Sequence, residues 1–196
     1  AWNKYDEQKM KEVMDFSEGY KKFISECKTE RECVTESIKI AEAHGYRNLE
    51  DVIRNQETLK PGDKVSANNM GKTIALFLIG KEPLEKGMKI LGAHIDSPRL
   101  DLKQNPLYED KDLAMLETHY YGGIKKYQWV TLPLAMHGVI VRKDGSSVQV
   151  NIGENENDPV VGISDLLVHL SSDQLGKKGS VVIEGEDLNI TVGSIP

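Results

Sequence analysis

The spacing of apolar residues changes near Pro98, and this change constrains the fold more than any other feature of the 196-residue sequence. In the first 45 residues, apolar side chains recur at intervals of three and four, which indicates amphipathic helices. After Leu100, short apolar runs separated by turn residues replace that period and indicate strands. The sequence therefore predicts the N-terminal part of an α/β domain over residues 1–98 and a β-rich domain over residues 99–196.

Local signals place individual elements within these two regions. A capping box from Thr29 to Glu32 opens a second helix, which should end at Gly45 because glycine adopts the left-handed conformation at little cost. Asp144-Gly145 is a strong hairpin signal between two strand-like runs. The remaining predicted elements are buried strands at Thr73–Ile79 and Lys89–Ala93, hairpin strands at Val139–Arg142 and Val148–Ile152, a short helix at Ser164–Leu175, and closing strands at Ser180–Glu184 and Leu188–Val192.

The charge balance and the apolar runs exclude two classes of function. The chain carries 25 basic and 31 acidic side chains, a net charge of −6, which argues against binding duplex nucleic acid through its phosphates. Its apolar runs fall far short of the roughly 18 residues that a membrane span requires. Two cysteines, Cys27 and Cys33, fit neither a disulfide framework nor a zinc knuckle, which favours buried free thiols in a reducing cytosol. We therefore expect a cytoplasmic protein without nucleic-acid or membrane partners.

Neither end of the sequence has the features of a natural terminus. Ala1-Trp2-Asn3-Lys4 lacks the apolar block of a signal peptide and the initiator methionine. The last residues, Val192–Pro196, are neither a capped helix nor a polar tail. We interpret the start as trimmed or incomplete and the end as a chain interrupted within its fold.

The sharpest candidate for chemistry is the segment Gly92-Ala93-His94-Ile95-Asp96-Ser97-Pro98. The predicted strand before it delivers a histidine and a carboxylate two residues apart, and residues i and i+2 of an extended chain point to the same side. Strand ends are where open α/β sheets place their sites, and a carboxylate fixes the tautomer of a metal-bound histidine. On spacing alone, a partly buried histidine beside a turn-capping aspartate is an alternative interpretation.

Other motifs are weaker candidates. The segment Asn68–Thr73 imitates the end of a phosphate-binding loop, but Ser66 replaces the first glycine and a strand follows, so nucleotide binding is rejected.

The tract Tyr120–Trp129 has three alternative interpretations: a substrate-proximal loop, a subunit contact, or an ordinary turn with aromatic packing. His169 lies against an apolar face, where a lone histidine is usually a satisfied core residue. His137 has no partner at the spacing of metal ligands.

The Gly92–Pro98 block, the Tyr121-Gly122-Gly123 tract and Trp129 together resemble the aspartyl aminopeptidase family, the relatives of vacuolar aminopeptidase I. The likeness covers nearly the whole chain, and Pro98–Lys103 resembles the bacterial branch. The resemblance implies a zinc aminopeptidase that removes an N-terminal, typically acidic, residue from peptides. It also implies a mixed α/β sheet flanked by helices, an inserted β-rich domain for dimerisation, and homodimers that assemble into a dodecamer.

The resemblance further implies roles for three residues. His94 would match the first zinc ligand, Asp96 the carboxylate of the catalytic site that orients it, and His169 a residue that reaches the substrate in a neighbouring subunit. The family's remaining ligands for two zinc ions, and its general base, would lie beyond residue 196. The implied chemistry is metal-assisted hydrolysis, and the 196 residues alone are expected to be inactive. The alternative from another class is a non-catalytic assembly or peptide-binding module without metal.

Overall fold

The computed structural model describes residues 2–194, so the expectations for Ala1 and for the last two residues, Ile195-Pro196, lie outside the described residues. The chain divides into two compact units between Asp96 and Ser97. The first unit contains helices and a small sheet, and the second is built mainly from strands, which is the mixed α/β class that the sequence predicted. Among residues 2–194, no helix is both long enough and apolar enough to span a bilayer.

Two capped helices begin the first unit, as the sequence predicted. Helix α1 spans Glu7–Glu26, and helix α2 spans Glu30–Ala43. The Thr29 hydroxyl accepts a hydrogen bond from the Glu32 backbone N–H at 3.3 Å, and Glu32 Oε2 accepts one from the Thr29 N–H at 2.9 Å. These reciprocal bonds complete the capping box. Gly45 follows α2 with a φ of 84°, the left-handed conformation that stops the helix.

The two helices bury their apolar side chains unequally. In α2, Cys33, Val34 and Ala41 are buried. In α1 no residue is buried, and its apolar Phe16 and Tyr20 are 78% and 59% exposed. The apolar side chains that recur along α1 therefore lie largely in solvent.

A small sheet and a third helix complete the first unit; they are β1 (Arg47–Asn48), α3 (Leu49–Arg54), β2 (Lys64–Asn69) and β3 (Thr73–Leu78). The sheet order is β1-β2-β3, with β1 parallel to β2 and β2 antiparallel to β3. The β2–β3 turn holds Met70 and Gly71 at φ 56° and 68°. The segment that imitates a phosphate loop is thus a hairpin turn followed by a strand, in line with its rejection as a nucleotide site.

Two expectations for the first unit are wrong. Strand β3 forms where it was predicted, but it lies at the sheet edge, and Phe77 and Leu78 are 43% and 64% exposed rather than buried. Lys89–Ala93 forms no strand, and Leu91 is fully exposed. A strand needs a neighbour for its backbone N–H and C=O groups, and no strand of the described chain pairs with this segment.

The second unit is built from β4 (Arg99–Asp110), β5 (Leu113–Tyr121), β6 (Pro133–Leu134), β7 (Met136–Val141), β8 (Ser147–Ile152), β9 (Val161–Gly162), α4 (Ser172–Leu175) and β10 (Ile190–Gly193). Five strands form one sheet in the order β4-β5-β10-β9-β6, and β7 pairs with β8. β4 and β5 form a long hairpin that pairs Arg99 with Tyr121 at its open end. Lys111 and Asp112 make its two-residue turn at φ 53° and 62°.

The core of the second unit gathers around Leu188, which is fully buried. The buried Thr118 of β5 donates its hydroxyl to the Leu188 carbonyl oxygen at 2.6 Å, and its backbone N–H donates to Asn189 Oδ1 at 3.0 Å. The first bond satisfies the buried hydroxyl and the second the backbone N–H, either of which would be costly to bury unpaired. The other members of the buried cluster are Val161, Ile163, Ile183 and Ile190.

Two expectations for the second unit are confirmed. The hairpin predicted at Asp144-Gly145 forms, because β7 and β8 pair antiparallel across it. Gly145 has a φ of 85°, and the Arg142 N–H donates to the Ser146 carbonyl oxygen at 2.8 Å to close the turn. The last predicted strand, Leu188–Val192, corresponds to β10.

Two other expectations for this unit are wrong. Ser164–Leu175 is not one helix but a 3-10 turn at Val168–Leu170 followed by the four-residue α4. Leu166 and Leu170 are more than half exposed, so no packed face stabilises a longer helix. Ser180–Glu184 forms turns rather than a strand; its Ile183 is buried as a single side chain, without strand pairing.

Candidate active site

His94 and Asp96 lie in contact in the structure. The Nδ1 atom of His94 is 3.0 Å from the Asp96 carbonyl oxygen and 3.2 Å from Asp96 Oδ1. Both residues belong to the irregular segment that precedes β4, rather than to the end of a strand. Their contact therefore does not depend on the extended-strand geometry from which the sequence predicted it.

The two contacts determine which ring nitrogen of His94 carries the proton. A carbonyl oxygen and an ionised carboxylate can only accept hydrogen bonds, so Nδ1 is the donor. In the neutral ring Nε2 then holds a lone pair, and it has no hydrogen-bond partner among the described residues. The His94 side chain is 84% exposed. A histidine held in this way is suited to bind a metal ion through Nε2.

One histidine does not make a metal centre. Among residues 2–194, no group of three or more histidine, cysteine, aspartate or glutamate side chains is placed to hold a metal ion. A catalytic zinc ordinarily takes three protein ligands and a water molecule. The donor chemistry of His94 fits zinc, and its role as a zinc ligand stays a prediction.

His169, the third predicted site residue, lies in the second unit on the 3-10 turn before α4. Its side chain is exposed, so its interpretation as a core histidine is wrong. The adjacent Leu167 and Val168 are exposed as well. A histidine among uncovered apolar side chains is accessible to another molecule, and its role in a neighbouring subunit remains a prediction.

The aromatic tract Tyr120–Trp129, which begins at the end of β5, packs partly within its own unit. Lys126 Nζ lies 5.5 Å from the centre of the Tyr120 ring, and Arg99 Cζ lies 4.4 Å from the centre of the Tyr121 ring. Both distances are within the range of cation–π contacts. The stacked arginine was not predicted, because it depends on the β4–β5 register, which places Arg99 opposite Tyr121.

Sequence reasoning also missed the contact between His137 and Glu154. His137 Nε2 lies 2.9 Å from Glu154 Oε1, and the His137 side chain is only 8% exposed. Glu154 follows the end of β8, so the two residues meet only when β7 and β8 pair. The predicted Asp144-Gly145 hairpin could have supplied this signal, because its register brings His137 opposite Asn151, close to Glu154.

Cys27 and Cys33 are buried free thiols, as predicted. Burial, with a smaller contribution from the Cys33 thiol, raises the pKa of Cys27 from 9.0 to about 11.

The Cys27 thiol therefore stays protonated at neutral pH, and we expect iodoacetamide to alkylate it slowly at pH 7. The alkylation rate should rise about tenfold with each pH unit up to about pH 11. Peptide-resolved mass spectrometry measures this rate against an unstructured cysteine peptide. Equal rates for Cys27 and the peptide at pH 8 would contradict the expectation.

An α/β unit that ends in a histidine–carboxylate pair and continues into a β-rich unit matches the class of zinc metalloprotease that the resemblance implied. A family comparison identifies the class directly, because residues 23–192 match the aminopeptidase I zinc metalloproteases, M18. The chain belongs to the M18 family. The resemblance stated from the sequence is thereby confirmed.

Individual relatives show how much of such a protein the chain represents. A probable M18 family aminopeptidase 1 of Clostridium acetobutylicum is 72% identical over all 196 residues, which cover 42% of its length. The crystal structure of an M18 aminopeptidase from Thermotoga maritima has a TM-score of 0.87 at 42% identity, covering 100% of this chain and 41% of that chain. The structure of an S. cerevisiae mApe1 dodecamer shares the fold alone, with a TM-score of 0.67 at 19% identity over 92% of this chain and 39% of that chain. The chain thus spans less than half the length of these relatives.

Proposed function

We propose that the full-length protein to which this sequence belongs is a zinc aminopeptidase that removes an N-terminal residue, preferentially an acidic one, from peptides. The observation that carries the proposal is the His94–Asp96 pair, in which Nδ1 is engaged and Nε2 is open. Membership in a family of zinc metalloproteases supports zinc as the metal, and the name of the Clostridium relative supports the activity. The preference for acidic residues rests on the family resemblance.

In this proposal the two residues together present one zinc ligand. Asp96 accepts the Nδ1 proton and fixes the rotation of the ring, which makes Nε2 the available base. His94 would bind one of two zinc ions through that nitrogen, while the other ligands and the general base come from sequence outside these 196 residues. Bound zinc supplies Lewis acidity for the peptide carbonyl and lowers the pKa of a water molecule.

The second unit has a separate part in the proposal. Residues 1–98 would form the N-terminal part of the catalytic domain, and residues 99–196 a dimerisation domain that offers His169 to the substrate in a neighbouring subunit. The exposure of His169 and of the apolar side chains beside it supports such a contact. The dodecamer formed by the yeast protein supports homodimers that assemble further. A cytoplasmic location agrees with the two free cysteines.

The isolated 196 residues are expected to show no peptidase activity, because one ligand cannot hold a pair of catalytic zinc ions. The fragment and the full-length protein are each supplied with zinc, cobalt or manganese and assayed on p-nitroanilides of Asp, Glu, Ala and Leu. We expect metal-dependent turnover by the full-length protein alone, with the highest kcat/KM for Asp and Glu. Robust turnover by the fragment would contradict the assignment of His94. No turnover by the metal-loaded full-length protein would favour the non-catalytic assembly or peptide-binding module.

A further inference from the structure

The turn between β7 and β8 contains a chemically labile sequence. Asp144-Gly145 is the one place in the sequence where an aspartate or asparagine precedes a glycine. Because glycine has no side chain to hinder the approach, its amide nitrogen can attack the carboxyl group of the aspartate before it. Both residues are exposed, and a Cβ placed on Gly145 would meet no atom of the described residues within 4 Å. Packing therefore does not restrain the turn, and its own hydrogen bonds must do so.

The reaction is a loss of water followed by an addition of water. The Gly145 nitrogen forms a bond to Asp144 Cγ, and the protonated carboxyl group loses its hydroxyl, which leaves as water with the amide proton. Water then opens the resulting succinimide ring. Attack on Cγ restores aspartate, whereas attack on the main-chain carbonyl carbon of Asp144 gives isoaspartate, in which the backbone runs through Cβ and Cγ.

Three hydrogen bonds within the turn oppose the first step. Asp144 Oδ1 accepts from the Ser146 hydroxyl at 2.7 Å and from the Ser146 backbone N–H at 2.9 Å. These bonds, the hydroxyl first, lower the pKa of Asp144, so less of the carboxyl group is in the protonated form that can react. The Gly145 N–H donates to the Arg142 carbonyl oxygen at 3.0 Å, which holds the proton that the reaction must remove.

We propose that the Ser146 hydroxyl protects Asp144 from conversion to isoaspartate, and that Asp144 becomes a modification site when this hydrogen bond is lost. Bringing Cγ onto the Gly145 nitrogen requires rotation of the Asp144 side chain, which breaks its bonds to Ser146. The hydroxyl supplies the shorter of these two bonds. The proposal does not depend on peptidase activity.

The protection matters for the pairing of β7 with β8. The loop between the two strands is closed by the bond from the Arg142 N–H to the Ser146 carbonyl oxygen at 2.8 Å. Isoaspartate adds one backbone atom inside that loop, and the pairing of a hairpin depends on the length of its loop. Conversion of Asp144 would therefore disturb the register that the turn sets.

Four serine variants of the full-length protein test the proposal. Each is incubated at neutral pH and physiological temperature, and isoaspartate at residue 144 is measured by mass spectrometry with electron-transfer fragmentation. We expect Ser146→Ala to form isoaspartate about three- to tenfold faster than wild type, the fold-change that corresponds to losing one exposed hydrogen bond. Ser147→Ala is the matched control, because it makes the same change at the next exposed serine, which begins β8. Its rate should equal that of wild type.

Ser146→Thr and Ser146→Val separate the hydroxyl from the shape of the side chain. Threonine keeps the hydroxyl and should stay close to the wild-type rate, whereas valine has the same shape without it and should react as fast as Ser146→Ala. Thermal unfolding verifies that the variants are folded, and if one hydroxyl-free variant does not fold, the other decides alone. A wild-type rate in the folded hydroxyl-free variants, or equal rates for Ser146→Thr and Ser146→Val, would overturn the proposal.

Discussion

His94→Ala in the full-length protein is expected to lose the zinc bound at this position and nearly all peptidase activity. The imidazole Nε2 is open to a metal ion, and alanine removes it entirely. A catalytic zinc has only three protein ligands besides its water, so the loss of one removes a large part of the binding free energy. Elemental analysis measures the metal content, and kcat/KM on an acidic anilide measures the activity. A folded His94→Ala protein with normal zinc content would refute the assignment.

Asp96→Asn is expected to have a smaller effect than His94→Ala. Asparagine keeps the shape and an accepting oxygen for Nδ1, but it lacks the negative charge that strengthens Nε2 as a ligand. We expect a folded protein whose zinc affinity or activity is lowered about 10–100-fold. Circular dichroism and thermal unfolding verify the fold. Unchanged zinc affinity and activity would remove Asp96 from the site.

Activity is expected to return when two impaired full-length variants, His94→Ala and His169→Ala, are dissociated and reassembled together. If His169 serves the neighbouring subunit, a mixed dimer holds one site with an intact His94 and a donated, intact His169. His169→Ala alone should lower kcat/KM about 10–150-fold, the loss of one hydrogen bond to a charged group. Its Tm should not change, because the side chain is exposed.

The reassembly experiment needs proof that mixed dimers form. Subunits with different affinity tags, purified over both columns in turn, isolate the mixed species. Recovery of kcat/KM in that fraction would support a shared site. No recovery in the proven mixed dimer would mean that each subunit uses its own His169, or none.

Elements whose signals lie within a few residues were predicted correctly, whereas of the segments that need a distant partner some formed, as β10 did, and others did not. The capping box joins residues three apart, Thr29 and Glu32, and the Asp144-Gly145 turn is set by its own backbone. Lys89–Ala93 has the composition of a strand, but composition does not supply a neighbouring strand. Ser164–Leu175 has helical spacing, but a short helix needs a packed face to persist.

Contacts at the candidate site between residues close in sequence could also be predicted, whereas contacts that depend on strand pairing could not. His94 and Asp96 are two residues apart, so their contact could be predicted, although the bond to the Asp96 carbonyl oxygen could not. The stacking of Arg99 on Tyr121 depends on strand register, which spacing along the sequence does not reveal. Zinc itself could be inferred only through the family resemblance, because one histidine and one carboxylate also fit an ordinary turn.

The exposed edge of β3 has a consequence for the 196 residues produced on their own. Strand β3 lies at the edge of its sheet, and Phe77 and Leu78 are 43% and 64% exposed. An unpaired apolar edge is a template for intermolecular strand pairing. We therefore expect the isolated fragment to associate as its concentration rises, which light scattering measures.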